Sequence, residues 1–99
     1  MISRIWHGKT KIEDYEAYTE FTREKAIPDY QKTPGFVKLS FLRNIENNEA
    51  HFTLITYWEN LEMIKNFAGE AVEKAKYYPE DDSFLLEFEE NVKHYEVFA

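Results

Sequence analysis

The sequence has no cysteine among its 99 residues, and only three glycines and three prolines. Without thiols the chain can form no disulfide, no thiolate metal site and no cysteine nucleophile, and nothing in it favours an oxidising compartment. The glycines, at positions 8, 35 and 69, are isolated, so neither a GxGxxG fingerprint nor a phosphate-binding loop is present. These absences exclude thiol chemistry and argue against tight nucleotide binding.

Basic residues and long apolar runs are also scarce. The chain has 12 Lys and Arg against 19 Asp and Glu, and its net charge of −7 opposes binding to nucleic acid and to anionic lipid surfaces. The longest stretch free of charged residues, Ala50–Trp58, is about half as long as a bilayer span. The first residues lack the pattern of a signal peptide. We therefore expect a cytoplasmic protein with no membrane segment and no nucleic-acid partner.

Aromatic residues, by contrast, are abundant. They make up 17% of the chain and all hydrophobic residues 43%, a composition that favours a folded chain over a disordered one. A chain of this length can bury one modest core. The sequence therefore predicts one domain over residues 1–99.

The first third of the chain has the pattern of a strand followed by a long helix. Residues 2–8 predict a strand. Thr10–Glu13 has the form of a capping box, which predicts that the helix begins there. Pro28 removes an amide and crowds the preceding turn, so the helix should kink or break around Ala26–Ile27. Pro34-Gly35 then ends the segment.

Two strands and a capped helix are predicted next. Phe36–Arg43 and His51–Trp58 favour strands, and Asn47-Asn48 between them tolerates the left-handed conformations of a tight hairpin turn. Asn60 is placed to cap a short helix, Leu61–Ala68.

The last third completes the order of elements. Glu70–Tyr77 predicts a second helical stretch, residues 79–90 are acidic, and Asn91–Phe98 alternates like a strand. The order β-α-β-β-α-β is typical of a ferredoxin-like α+β sandwich, with helices on one face of an antiparallel sheet.

Both faces of the third strand carry bulky side chains. One face has His51, Thr53, Ile55 and Tyr57, and the other has Phe52, Leu54, Thr56 and Trp58. A sheet covered on one side only should have one polar face. A second copy packing sheet against sheet would cover the other face, so we expect a homodimer formed through the sheet faces. The alternative is that the surplus aromatic residues stay singly on a solvated face.

The three histidines, His7, His51 and His94, all fall on predicted strands. None has the HxH or HExxH spacing of metal ligands, so no metal site is predicted. The plainest interpretation of each is a hydrogen-bonded sheet residue. His94 is the strongest candidate for chemistry, because Tyr95 and the acidic run before it could fix its tautomer and tune its pKa. Which of the three faces a pocket is left open by the sequence.

A candidate ligand pocket involves Arg4, Trp6 and Trp58. Arg4 and Trp6 point to the same face of the first strand, and an arginine and an indole beside an aromatic wall would orient a flat, oxygenated aromatic ligand. In the alternative, the tryptophans are core residues and the arginine is paired with a carboxylate. The run Tyr77–Asp82 also admits two interpretations: a general base with a phenolic proton donor, or helix-starting acids beside packed tyrosines.

Five short motifs follow one another along nearly the whole chain. They are Arg4-Ile5-Trp6-His7-Gly8; Pro28-Asp29-Tyr30 with Thr33-Pro34-Gly35; Tyr57-Trp58-Glu59-Asn60 with Phe67-Ala68-Gly69; Tyr77-Tyr78-Pro79-Glu80-Asp81; and His94-Tyr95-Glu96-Val97. In this order and spacing the sequence resembles the antibiotic biosynthesis monooxygenase-like family. The resemblance implies a dimeric α+β barrel, in which two ferredoxin-like protomers join sheet to sheet.

The resemblance also implies a function. Members of the family include cofactor-independent monooxygenases that oxidise polyketide phenols to quinones, in which the deprotonated substrate itself passes electrons to dioxygen. Carried onto this chain, the resemblance gives a small aromatic metabolite as substrate, no cofactor, and these roles: His94 as the base, Tyr78 or Trp58 as donors, Asp82 as the partner that orients the base, and Arg4 as the anchor of an anion. The alternative is a non-catalytic dimeric small-molecule-binding or stress-related protein.

Other members of the family degrade haem with an Asn, Trp and His set. The first predicted strand contains no asparagine, which argues against haem as the substrate.

Overall fold

The computed structural model describes residues 1–99 and contains a four-stranded antiparallel sheet. Its strands, in the spatial order β2-β3-β1-β4, are β1 (Ile2–Thr10), β2 (Phe36–Glu46), β3 (Glu49–Trp58) and β4 (Lys93–Glu96). The helices are α1 (Tyr15–Phe21), α2 (Ile27–Gln31), α3 (Leu61–Ala68) and α4 (Asp81–Phe84). The predicted ferredoxin-like α+β architecture is confirmed. No helix is long and apolar enough to cross a membrane.

The predicted start of the first helix is wrong. Strand β1 continues through Thr10, which pairs with Ala50 of β3, and the Thr10 hydroxyl donates to the carbonyl of Lys11 at 2.8 Å. The capping box therefore does not form, because Thr10 is part of strand β1 and its hydroxyl bonds to Lys11 instead of to a helix amide. The helical segment, residues 12–31, begins instead with a 3₁₀ turn at Ile12–Asp14.

This helical segment changes its hydrogen-bond pattern between α1 and α2. Residues Thr22–Ala26 form a π-helical turn, in which the N–H of Ile27 donates to the carbonyl of Thr22. Pro28 follows at once and has no N–H to donate to the preceding turn. A wider turn within a continuous helix, ending at Ala26, takes the place of the kink or break predicted around Ala26–Ile27.

Four buried side chains follow one side of the helical segment at intervals of four residues: Tyr18, Thr22, Ala26 and Tyr30. In an α-helix with 3.6 residues per turn, a spacing of four drifts steadily around the axis. The π-helical turn, with its i to i+5 hydrogen bonding, offsets this drift. The four side chains therefore stay on the side that faces the sheet.

The hairpin and the helix after it form as predicted, although both strands are longer. Asn47 and Asn48 have φ angles of 52° and 63°, the positive values that a two-residue hairpin turn requires. The side-chain oxygen of Asn60 accepts a hydrogen bond from the N–H of Met63 at 2.9 Å, which caps α3.

The helix predicted over Glu70–Tyr77 is absent, and the final strand is shorter than predicted. Backbone groups of these residues pair with residues 90–92 instead: the N–H of Ala75 donates to Glu90, and the N–H of Val92 donates to Glu73. This pairing between distant parts of the chain replaces the hydrogen bonds of a helix. The result is an irregular covering segment, residues 70–80, that contacts Arg4 and Trp6 of β1 as well as residues 90–92.

The side chains of β3 show that the sheet has a covered inner face and an outer face. Phe52, Leu54, Thr56 and Trp58 on the inner face expose between 0 and 4% of their area, since the helices cover them. The residues that alternate with them, His51, Thr53, Ile55 and Tyr57, are only partly buried in the single chain. The outer face therefore has bulky side chains without a cover from the same chain.

Gly35, which lies beside Met63 of α3, and Gly69, which follows the last residue of α3, form a matched pair. They allow backbone strain to be compared with steric overlap when an alanine replaces glycine. Both have positive φ, 90° at Gly35 and 83° at Gly69. A Cβ at Gly35 would lie 2.3 Å from the Cβ of Met63, whereas one at Gly69 would meet no atom within 4 Å. We expect Gly69→Ala to lower the free energy of unfolding by about 1–3 kcal/mol through backbone strain alone, and Gly35→Ala to lower it clearly more. Equal losses in urea denaturation would contradict the steric argument.

Candidate functional site

A cavity lies between the inner face of the sheet and the helical segment. Eight of its 12 lining residues are hydrophobic. The sheet supplies Arg4, Trp6, Phe41 and Leu54; the helical segment supplies Tyr18, Phe21, Thr22, Ala26 and Tyr30; and the chain from the covering segment into α4 supplies Lys76, Tyr78 and Asp81. The cavity is thus an aromatic chamber with a few polar groups, the usual composition of a small-molecule site.

The cavity is narrow. Its volume is about 30 Å³, room for one or two water molecules. Lys76 is exposed while it lines the cavity, so the covering segment forms the solvent side of the chamber. An aromatic ligand therefore needs the covering segment to move away from the helical segment.

Asp81 is the buried carboxyl of the cavity, with 3% of its area exposed. One oxygen accepts a hydrogen bond from the Tyr18 hydroxyl at 3.0 Å, and the other accepts one from the backbone N–H of Tyr78 at 2.7 Å. Burial raises the pKa of Asp81 above its ordinary value, although these hydrogen bonds oppose the shift. A carboxyl of this kind is a stronger base than an exposed aspartate.

Asp81 lies here because of the way α4 begins. Pro79 stands just before α4, and the side chain of Asp81, the first residue of this helix, reaches back to accept from the N–H of Tyr78. The contact is similar to the acid half of a capping box, in which a carboxylate accepts from a backbone N–H three residues before it. It turns the carboxyl inward, toward α1.

Tyr78 and Lys76 connect the covering segment to α2 through Asp29. The Tyr78 hydroxyl donates to Asp29 Oδ2 at 2.7 Å, and Lys76 Nζ donates to the same oxygen at 3.1 Å. Burial opposes ionisation of Asp29, but hydrogen bonds from these two groups hold its pKa below the usual value. Burial and the Asp29 carboxylate raise the pKa of Tyr78 far above that of a free phenol. Tyr78 is therefore a neutral O–H donor at the cavity, and we call the three residues the latch.

Arg4 and Trp6 reach the cavity from neighbouring inward positions of β1. Arg4 is 2% exposed, and its Nη2 donates to the carbonyl of Lys74 at 2.8 Å. The Trp6 ring lies across Gly8, where a Cβ would come within 2.3 Å of it, and its Nε1 donates to the Tyr77 hydroxyl at 3.3 Å.

The structure brings three of the predicted site residues to this cavity: Arg4, Trp6 and Tyr78. Trp58 is fully buried in the core, where its Nε1 donates to the Thr56 hydroxyl at 2.8 Å. His94 pairs across the strands with Arg4 and does not line the cavity, and burial together with the Arg4 charge lowers its pKa. Asp82 is exposed, beside the buried Asp81. The catalytic roles of His94, Tyr78 and Asp82 stay predictions.

The other two histidines lie on the outer face of the sheet. His7 Nε2 is 3.0 Å from His51 Nδ1, and His7 Nδ1 is 2.5 Å from a carboxylate oxygen of Glu89. None of the three histidines lines the cavity. No group of three or more His, Asp and Glu side chains is placed to hold a metal ion.

Sequence reasoning included Asp81 only as one member of the run Tyr77–Asp82, and it did not assign Tyr18 or Tyr30 to the site. The signal for Asp81 was the proline two residues before it, because a proline followed by acidic residues marks the start of a helix. The signal for the two tyrosines was the spacing of four that runs from Tyr18 to Tyr30. In a regular α-helix a spacing of four drifts around the axis, so it identifies one side of this segment only when the π-helical turn is known.

Comparison with known proteins identifies the fold. No protein-family model matches the sequence, and no curated protein does. Among solved structures, an arginine-to-serine mutant of MhuD with two manganese protoporphyrin IX molecules bound per active site is 17% identical over 100% of this chain and 96% of its own, with a TM-score of 0.62. A "putative antibiotic biosynthesis monooxygenase" from Bacillus cereus is 18% identical over 96% of this chain and 87% of its own, with a TM-score of 0.53.

At these identities the likeness is one of fold. The class is the ferredoxin-like α+β sandwich. Within it, the chain shares the fold of these two structures, one of which carries the family name that the sequence motifs resemble.

The raised pKa of Asp81 predicts a specific pH dependence of stability. The folded protein holds this proton more tightly than the unfolded chain, so the stabilisation is complete below the ordinary aspartate pKa of about 3.9 and is lost as the pH rises through the raised value. Asp81→Asn should remove this dependence. We expect the stability of the wild type, relative to the variant, to fall as the pH rises above about 4 in urea denaturation.

The control for this measurement is Asp82→Asn, which removes the same formal charge from the exposed neighbour. Its stability relative to the wild type should not follow the same trend. The same trend in both variants would contradict the assignment to the buried carboxyl.

Proposed function

We propose that the protein is a cofactor-independent monooxygenase that oxidises a small phenolic aromatic metabolite to a quinone. The observation that carries the proposal is the juxtaposition of a buried carboxyl of raised pKa, Asp81, with a cavity walled by aromatic rings. Perturbed carboxyls in apolar cavities are common at catalytic sites.

The walls suit a flat aromatic ring. Trp6 from the sheet and Phe21 and Tyr30 from the helical segment offer edges and faces for stacking, which favours an aromatic guest over an aliphatic one. The cavity is narrow and mostly apolar, so a bound ligand would leave little room for water beside it. Low water content strengthens the hydrogen bonds and charges that act on the ligand.

Asp81 is the proposed proton acceptor. As a carboxylate it takes the phenolic proton, and its raised pKa brings its basicity closer to neutral pH, where proton transfer is most efficient. The phenolate passes an electron to dioxygen, and the two radicals combine at a ring carbon to form a peroxide. Cleavage of the O–O bond then releases water, so one phenol and one dioxygen give one quinone and one water.

Tyr78 and Lys76 are the proposed donors to the reduced oxygen. Both side chains line the cavity. In the structure each donates a hydrogen bond to Asp29, as part of the latch. Opening and closing of the latch would redirect them toward a bound oxygen species. Donors aimed at developing negative charge are among the largest contributions to catalysis.

The similar solved structures support oxygenase chemistry in this fold. The Bacillus cereus protein carries a monooxygenase name, and the MhuD mutant binds manganese protoporphyrin IX in its active site. In the present chain no histidine lines the cavity, so a metalloporphyrin would find no imidazole ligand there. We therefore propose a phenol as substrate, and not a porphyrin.

We also propose that the protein is a homodimer, formed through the outer sheet face. Ile5 and Ile55 pair across β1 and β3, and Tyr57 lies beside them, all three partly buried in the single chain. Leu42 on β2 and Tyr95 on β4 extend the apolar surface and are 52% and 48% exposed. An isologous sheet-to-sheet contact would cover this surface.

The dimer is tested with two matched leucine variants. Leu42 on the outer sheet face and Leu61 on α3 are similarly exposed, at 52% and 46%. We expect light scattering to give twice the 11.9 kDa of one chain for the wild type and for Leu61→Glu. Leu42→Glu should shift the protein toward the monomer at micromolar concentration. A wild-type monomer would overturn the proposal.

Oxygen consumption with phenolic substrates tests the activity. Asp81→Asn should lower kcat/KM by about 100-fold or more, the usual contribution of a general base. In the wild type, kcat/KM should rise with pH as Asp81 ionises, above the range of an ordinary aspartate. The exposed Glu13→Gln, which removes one charge outside the cavity, serves as the control. A larger loss in His94→Ala or Asp82→Asn would favour the roles predicted for those residues over Asp81.

A second function is non-catalytic binding of a small molecule, and it is favoured by the absence of His94 and Asp82, two of the predicted catalytic residues, from the cavity lining. The two functions differ in one measurement. A ligand that binds reversibly without oxygen uptake, in the wild type and in Asp81→Asn alike, would establish the binding protein and exclude the oxygenase.

A further inference from the structure

Arg4 is a buried cation without a counter-ion in the protein. The residue is 2% exposed, and no Asp or Glu lies within ion-pair distance of its guanidinium. Its Nη2 donates to the carbonyl of Lys74 and the Tyr30 hydroxyl is a further neighbour of the guanidinium, while its buried Nε has no acceptor. Buried charges in folded proteins are normally paired, and an arginine cannot lose its proton to escape the cost.

The groups near Arg4 do not neutralise it. The ring of Phe67 lies 5.7 Å from the guanidinium carbon and offers only a partial negative face. Tyr30 is the nearby acidic hydroxyl, but burial raises the pKa of Tyr30 to about 12, even though the Arg4 charge opposes the shift. Tyr30 is therefore uncharged at neutral pH.

A second buried nitrogen without a partner stands next to Arg4. His94 faces Arg4 directly across strands β1 and β4, and its Nε2 is buried without a hydrogen bond. A neutral imidazole with its proton on Nε2 would be a donor. The pair of strands thus presents two adjacent unsatisfied nitrogens, one on a fixed cation, and native structures rarely leave such groups unused.

The unpaired Arg4 side chain is part of the cavity lining. Arg4 lines the chamber on the sheet side, with Trp6 two residues further along the same face. Lys76 is a second cation of the lining, and Asp29 already neutralises it. An anionic group entering the chamber would therefore meet its strongest unpaired partner at Arg4.

We propose that Arg4 binds a carboxylate of the ligand, so that the substrate is a hydroxylated aromatic acid. A planar carboxylate matches the fork of a guanidinium, and the pairing would supply the missing counter-ion. This inference rests on the proposed function for its phenolic part. The carboxylate subsite itself needs only binding.

Equilibrium binding without oxygen separates this inference from turnover. The probes are 1-hydroxy-2-naphthoate and its methyl ester, titrated anaerobically by calorimetry. We expect the wild type to bind the acid at least tenfold more tightly than the ester. Arg4→Met should bind both probes equally, and Arg4→Lys, which keeps the charge without the fork, should retain part of the preference. Arg43→Met, which removes an arginine paired with Glu16 outside the cavity, should leave the preference unchanged.

Stability gives a second readout. If Arg4 serves a ligand, Arg4→Met should be at least as resistant to urea as the wild type, because an unpaired buried charge has been removed. A destabilised Arg4→Met together with equal binding of acid and ester to the wild type would overturn the inference and assign Arg4 a structural role. If neither probe binds to the wild type, the inference is also overturned.

The outcomes for function and subsite are distinguishable. Tight, Arg4-dependent binding of the acid without oxygen uptake would keep the subsite and reject the oxygenase. Oxygen uptake that is equally fast with acid and ester would keep the oxygenase and reject the subsite.

Discussion

The buried hydrogen bond between the Tyr18 hydroxyl and the Asp81 carboxyl is the contact on which the cavity depends. A carboxyl removed from water is costly unless its oxygens are hydrogen-bonded. Here one oxygen is held by Tyr18 on α1 and the other by the N–H of Tyr78, so the helical segment, the covering segment and α4 meet at one group. The same burial disfavours the charged form and gives the carboxyl its basicity. Burial of Asp81 therefore both requires the hydrogen bonds that join these elements and raises the basicity of its carboxyl.

Much of the fold could be predicted from the sequence, wherever local chemistry decides the structure. Asn47-Asn48 at the hairpin and Asn60 at α3 act through their own backbone conformation or side chain, and both were predicted correctly. Thr10 and Glu70–Tyr77 have equally good local patterns for helix, but pairing with β3 and with residues 90–92 overrides them. Hydrogen bonds between distant parts of the chain are not visible in a local sequence pattern.

The candidate site was predictable in part, for a similar reason. Arg4 and Trp6 follow from the two-residue alternation of a strand, which places both side chains on one face. The choice between Asp81 and Asp82 depends on which side of a single helical turn faces α1, and one turn has no periodicity to read. Trp58 had the composition of a pocket residue, but its position opposite Phe36 and under α3 makes it a core residue.

The latch and the chamber wall respond to different properties of the solvent. Asp29, Lys76 and Tyr78 join the covering segment to α2 through partly exposed charges, whereas the wall on the sheet side is held by buried aromatic contacts. Dissolved salt screens the first kind of interaction and hardly affects the second. Raising the ionic strength is therefore expected to weaken the latch while leaving the sheet-side wall of the chamber intact.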